Sequence, residues 1–305
     1  MFHHFHDEKK HIVSQGSINS DEFKQMLCFL QNNYEIVDAN EWCERAINNR
    51  LKPNQICLTF DDALACQYDV AYPVLEELNI KAFWLIYTSI YTGALEKLEI
   101  YRHFRFNSFD STEAFYDAFF KTAILKQDSI GIEIENVIKQ FDPADYLQQF
   151  TFYSDSDKLF RYLRDCVLKE EKYHFIMDSM ITDMGYDIEK SIHLLWITEK
   201  QILDLHNNNH IIGLHSHTHP TAMASKTYSE QMHEYKENKR ILEKVTQGDI
   251  YTISYPCNSY NDDTDEIMKS LKIRLGFDAI MSGKQNNCLH FPRKDHAYVM
   301  QEMQK

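Results

Sequence analysis

Short apolar runs and amphipathic stretches alternate along most of this chain, and their order predicts its architecture. FHHF at 2–5 reads as a short first strand. In SDEFKQMLCFLQNN (20–33) an acidic first turn precedes Phe23, Met26, Leu27 and Leu30, whose spacing of three and four puts them on one helix face. YEIVDA (34–39) reads as a strand, and QICLTFDD (55–62) as a buried strand ending in carboxylates. YDVAYPVLEELN (68–79) reads as a helix that tolerates Pro73 near its start, and KAFWLIYTS (81–89) as a further strand. The alternation then stops. From 93 to 197 the chain is helical and aromatic, most clearly in STEAFYDAFFKTAIL (111–125), PADYLQQF (143–150) and DKLFRYLRDCVL (157–168). It resumes with a helix at 198–209, a strand at 210–219, a helix at 229–245, a strand at 249–256 and a helix at 262–272, and two last strands follow at 275–282 and 288–295.

Strands alternating with helices predict an α/β fold with a parallel sheet, whose chemistry gathers where the strands end. The polar clusters HHFH, DD, HSHTH, YPCN and PRKDH all fall at such ends. A chain of 305 residues suits one barrel, 1–92 with 198–305, carrying an insertion at 93–197. With only eight glycines and no glycine-rich loop, a phosphate cradle is not expected. The formal net charge of −14 argues against nucleic acid or anionic lipid as partner. No apolar run approaches the roughly 20 residues of a membrane-spanning helix. MFHHFHDEKK lacks the pattern of a signal peptide. The seven cysteines are scattered, with no CxxC, which leads us to expect reduced thiols in a cytoplasmic protein.

Two stretches carry the chemistry. LTFDDA (58–63) closes a strand with Asp61 and Asp62, carboxylates that could equally cap the next helix. HSHTH (215–219) follows the apolar run IIGL and precedes Pro220, so it reads as a loop able to curl His215 and His219 around one ion. Two imidazoles and a carboxylate with open positions form a recurrent catalytic metal site. His206 and His210 have the same spacing and read as a helix end and a loop.

TFDDA, HSHTHP, TISYPCNSYN and FPRKDH, in that order, resemble the motifs of the polysaccharide deacetylases, the NodB-homology or carbohydrate esterase family 4 group. The likeness spans 55–92 and 197–297, and FHHF with the stretch after it looks like the lead-in of some members. It implies a distorted (β/α) barrel of the NodB-homology type with a large helical insertion. It also implies metal-dependent removal of an N-acetyl or similar acyl group from an amino sugar. Asp62, His215 and His219 would bind one divalent ion, expected to be zinc, and Asp61 would be the general base. The backbone amide of Cys257 would face the oxyanion. His217 would line the pocket or turn away, with Ser216 and Thr218 supporting the ligands.

The sequence departs from the family at Ala63, where glycine is usual, and in lacking both the arginine before Pro256 and the tryptophan-containing fourth motif. Arg293 could replace the arginine by pairing with Asp61. His296, oriented by Asp295, is the expected acid for the leaving amine in preference to His290. His4, His6 and Tyr255 are candidates for substrate contact. Arg102 and Arg105, at the entrance of an insertion expected to cap the site, are candidates for a polar or anionic part of the ligand. An oligomerisation module is the other reading of the insertion. The absence of a signal pattern favours an intermediate of surface-glycan synthesis as substrate. A related hydrolase of a non-sugar or cyclic amide, and a non-catalytic glycan-binding barrel, are the alternatives.

Overall fold

A computed structural model describes residues 1–126, 131–148, 150–281 and 287–304. They form two compact units, Met1–Glu96 with Leu194–Lys305, and Lys97–His193.

The first unit is built on a five-stranded, all-parallel sheet. A separate pair, β1 (Glu35–Ile36) and β2 (Gln55–Ile56), precedes it. The sheet runs β3 (Thr59–Asp61), β4 (Phe83–Ile86), β5 (Ile211–Leu214), β6 (Thr252–Ser254) and β7 (Leu275–Phe277), each strand beside the next. Helices α1 (Ser20–Asn33), α2 (Ala39–Ile47) and α3 (Tyr72–Glu77) come from the first part of this unit. The second unit holds α4 (Lys97–Ser108), α5 (Thr112–Lys126), α6 (Gly131–Gln140), α7 (Asp155–Tyr162) and α8 (Lys169–Asp183). The first unit then resumes with α9 (Glu199–Asn207), α10 (Tyr228–Thr246), α11 (Asp262–Ser270) and α12 (His296–Met303).

The sheet curls because both of its edges are continued by single bridges. Phe2 pairs with Phe60 on β3, and Phe291 pairs with Phe277 on β7. These flanking segments then meet: the Met1 amine donates to the Lys294 carbonyl at 2.7 Å, and the His296 amide to the Met1 carbonyl at 3.1 Å. The result is a distorted barrel whose strands all point the same way.

Alternation along the strands sorts their side chains. Phe60 and Trp84 face outward, stacked with centroids 4.5 Å apart, and Phe2 and Phe23 join them. Inside, Phe83, Leu85, Ile211, Leu275 and Phe277 fill the lower barrel against Trp42, Cys43 and Ala46 of α2. Gly213 permits that close packing, since a Cβ there would lie 2.3 Å from Thr252 Oγ1. The second unit has its own aromatic core of Phe115, Phe119, Phe160 and Tyr173.

Several expected elements differ. The strand expected at 288–295 is reduced to the Phe291 bridge, because Pro292 has no N–H for a ladder. The strand expected at 275–282 ends at Phe277, and Ser282 lies outside the described residues. The helix expected at 68–79 begins as a π-helical turn, Gln67–Ala71. Pro73 lacks the amide that would bond to residue 69, so the turn widens. PADYLQQF forms only a short turn at Pro143–Asp145, and its Gln149 lies outside the described residues.

Candidate active site

The site is assembled at the carboxyl ends of the strands. Continuing the alternation of β5, His215 turns inward one residue beyond Leu214. Its Nδ1 lies 3.0 Å from the Ser254 carbonyl and 2.7 Å from the Ser254 hydroxyl. A proton on Nδ1 donated to that carbonyl leaves the Nε2 lone pair directed at Asp62. Asp62 Oδ1 is 3.2 Å from His215 Nε2 and 3.3 Å from His219 Nε2. One donor atom from each of the three lies within 4.8 Å of the others. With a proton in the ion's place, burial alone would lower the His219 pKa, yet Asp62 pushes it up to about 9. Burial likewise opposes ionisation of Asp62, but the two imidazoles hold it well below the usual carboxylate range. Two imidazole nitrogens and a carboxylate oxygen converging in this way fit a divalent cation. His219 Nδ1 is buried with no hydrogen-bond partner, which leaves this ring less firmly fixed than that of His215.

Local backbone strain makes this convergence possible. Asp62 (φ 79°), Ala63 (55°), Ser216 (62°), His219 (56°), Cys257 (51°) and Asn258 (55°) all adopt left-handed conformations. Such angles cost non-glycine residues about 1 kcal/mol or more each, and they cluster where strand ends are bent toward a common point. The angle at Ala63 gives a physical reason for the glycine usual at this position.

Asp61 belongs to a different network. Arg293 grips it at both oxygens, Nη1 to Oδ1 at 2.7 Å and Nη2 to Oδ2 at 2.8 Å. The same guanidinium donates to the Asp278 carbonyl and to the Thr59 hydroxyl. Both partners are almost fully buried. Burial would raise the Asp61 pKa, but Arg293, helped by His215, brings it down to about 2. Gln67, wholly buried, donates its side-chain amide to the Asp61 carbonyl and the His3 carbonyl. His3 Nδ1 is 3.8 Å from Asp295, and His3 is close enough to Asp61 and Asp62 to favour their ionised forms.

A family model described as polysaccharide deacetylase matches residues 167–276, which include HSHTH and Cys257 but not TFDD. No curated protein matches the chain. Among solved structures, the Streptococcus pyogenes deacetylase PplD in complex with acetate aligns at TM-score 0.54 and 18% identity, covering 96% of this chain and 89% of that one. IcaB from Ammonifex degensii aligns at 0.53 and 15%, covering 95% and 87%. The BpsB deacetylase domain from Bordetella bronchiseptica aligns at 0.50 and 13%, covering 96% and 93%. The chain has the polysaccharide deacetylase fold. At these identities the structural likeness concerns the fold alone.

On this deacetylase fold the expected acid is misplaced. His296 starts α12 with its ring against Phe2 in the outer layer, 5.7 Å between centroids, and its Nε2 bonds to the Gly16 carbonyl at 2.7 Å. Asp295 caps that helix through the Ala297 amide, so it does not orient His296 toward Asp61. His290 is held between Asp278 (2.9 Å) and Asp265 (3.0 Å), which raise its pKa against burial. Tyr255 is buried, with its hydroxyl on the Leu289 carbonyl, and is a packing residue rather than a substrate contact. The exposed Cys257 follows β6 in the strained turn already described.

His6 bonds to Ser17, and the His4 ring stacks beside His3 at 6.5 Å. Arg105 is buried within the helical unit against Phe106, Phe115 and Tyr116, so it is part of that core and not a ligand contact. Arg102 pairs with Glu99 at 3.6 Å in the same unit. His217 is no ligand: its Nδ1 lies 3.0 Å from the Thr88 hydroxyl. Among the neighbouring histidines the sequence did not single out His3, although Phe2 offered a signal for its proximity to these carboxylates. Once the Phe2 ring faces the outer core, the next side chain of an extended segment faces the opposite way.

Proposed function

We propose that this chain is a metal-dependent amide hydrolase that removes an N-acetyl or similar acyl group from an amino sugar. An intermediate of surface-glycan synthesis is the proposed substrate. The observation that carries this reading is the division between the two adjacent carboxylates. Asp62 faces two imidazoles, while Asp61 is kept ionised by a separate guanidinium and remains outside the ligand set. A site for binding alone has no use for that second, independently held carboxylate.

A divalent cation such as zinc, held by Asp62, His215 and His219, would supply Lewis-acid polarisation of the acyl oxygen and make the attacking water more acidic. Asp61 accepts the proton of that water. Its low pKa keeps it deprotonated, so a proton acceptor is always present beside the ligands. The Cys257 amide faces the developing oxyanion. His3, with Asp295 nearby, delivers a proton to the leaving amine.

Acetate release from a panel of N-acetylated amino sugars and oligosaccharides, measured before and after chelation and after zinc return, tests the reading. Zinc-dependent release is expected. His3→Gln should reduce turnover about 100-fold and His296→Gln far less. Absence of acetate release from every sugar, with hydrolysis of a cyclic or non-sugar amide instead, would move the activity to another substrate class.

A further inference from the structure

The loop that carries His215 and His219 is held from outside by one helix. On α10, Glu234 and Asn238 are four residues apart, hence on one face, and both are buried. Asn238 Oδ1 accepts the His215 amide at 3.0 Å. Its Nδ2 donates to the Ile86 carbonyl at the end of β4 (2.9 Å) and to the Thr88 hydroxyl (3.1 Å). Glu234 Oε2 accepts the amides of His217 (3.0 Å) and Thr218 (2.8 Å), and Oε1 accepts the Thr218 hydroxyl at 2.5 Å. The His217 carbonyl in turn receives the amides of Thr88 and Ser89.

Three amides of this loop, those of His215, His217 and Thr218, therefore end on two side chains of a single helix. Between these anchors Ser216 and His219 adopt left-handed angles, and the His219 amide donates to the Ser216 hydroxyl at 3.1 Å. Without the anchors, relaxation of those angles would swing the two imidazoles apart. A buried carboxylate spent on backbone amides, in place of a ligand or an ion pair, is an unusual investment for a helix that could pack with apolar residues alone.

We propose that Glu234 and Asn238 are positioning residues that set the affinity of the site for its divalent cation by fixing the loop between His215 and His219. The proposal rests on the metal-dependent reading of the site. Its test is zinc affinity, measured by competition with a chromophoric chelator, alongside urea unfolding of the ion-free protein. Glu234→Ala and Asn238→Ala should each weaken zinc binding about 10- to 100-fold, the range typical of groups that orient metal ligands. Glu234→Gln should be intermediate, because one carbonyl oxygen can still accept two amides. Thr218→Val, at an exposed residue that loses a single bond, should fold normally and weaken binding a few-fold. If ion-free stability falls while the folded variants bind zinc as the wild type does, the two residues are struts and the proposal is wrong. Should an alanine variant fail to fold, unchanged affinity in both Glu234→Gln and Thr218→Val overturns it equally. A wild type that binds no zinc removes the metal-dependent reading, and this proposal with it, whereas a zinc-binding wild type with unaffected variants removes only this proposal.

Discussion

The two ends of the same five strands follow opposite rules. At the lower end, Trp42 packs against Phe291 at 4.8 Å, Phe277 at 5.7 Å and Phe83 at 6.0 Å. The Trp42 indole N–H donates to the Gln55 carbonyl at 3.4 Å, and the rest of the gain comes from apolar area removed from water. At the upper end Asp61, Asp62, His215 and Arg293 are also buried or nearly so, but each is held by named hydrogen bonds and several neighbours are strained. The barrel thus concentrates its stability at one end and its chemistry at the other. Variants at the two ends should therefore separate stability from turnover.

The largest effect is expected below. Trp42→Ala should cost about 3–5 kcal/mol of unfolding free energy in urea, with turnover nearly intact in whatever fraction remains folded. A comparable loss of turnover per folded molecule would show that the two ends are coupled. Above, Asp61→Asn should reduce turnover about 100-fold or more, equivalent to at least roughly 2.7 kcal/mol of transition-state stabilisation, with bound zinc retained. Loss of zinc in this variant, and its retention in Asp62→Asn, would exchange the roles of the two carboxylates.

A smaller effect concerns acid. The folded pKa of Asp61, about 2, lies below the unfolded value, so its pairing stabilises the fold at pH 5. That contribution, about 2 kcal/mol, should fade as pH falls from about 4 through 2. Urea unfolding at pH 5 and pH 2 should show the extra acid loss in the wild type and not in Asp61→Asn; equal losses would remove Asp61 as its source. Smallest, Ala63→Gly should stabilise the protein by up to about 1 kcal/mol by relieving the left-handed angle, read as a rise in Tm, whereas a drop would mean that the buried methyl matters more than the angle.

The sequence made the motif residues legible because strand ends bend in predictable directions. QICLTFDD and HIIGLHSHTH each present an apolar run and then ligand-type residues, so Asp61, Asp62, His215 and His219 are legible from the sequence alone. Arg293 was legible through the arginine missing before Pro256. The acid was not. HHFH offers three histidines, and choosing among them requires knowing which way Phe2 points, which depends on its pairing with Phe60. His296 looked suitable beside Asp295, but PRKDH is the cap of a terminal helix rather than the end of a strand. Arg105 carried a charge that suggested a ligand, but Phe106 beside it and Phe115 and Tyr116 on the next helix enclose it among aromatic rings. Glu234 and Asn238 lie on the buried face of α10, a polar interruption of its apolar pattern that has meaning only beside the loop it supports.

The Asp61–Arg293 pair joins residues 232 positions apart, across the seam where the first and last segments of the barrel meet. Contacts so remote in sequence carry a large loop-closure cost and slow folding. A nascent or proteolytically shortened chain that stops before residue 293 would still contain TFDD and HSHTH, yet its Asp61 would lack the guanidinium that keeps it charged. Hydrolysis would then report completion of the entire barrel, and a fragment bearing both recognisable motifs would be silent.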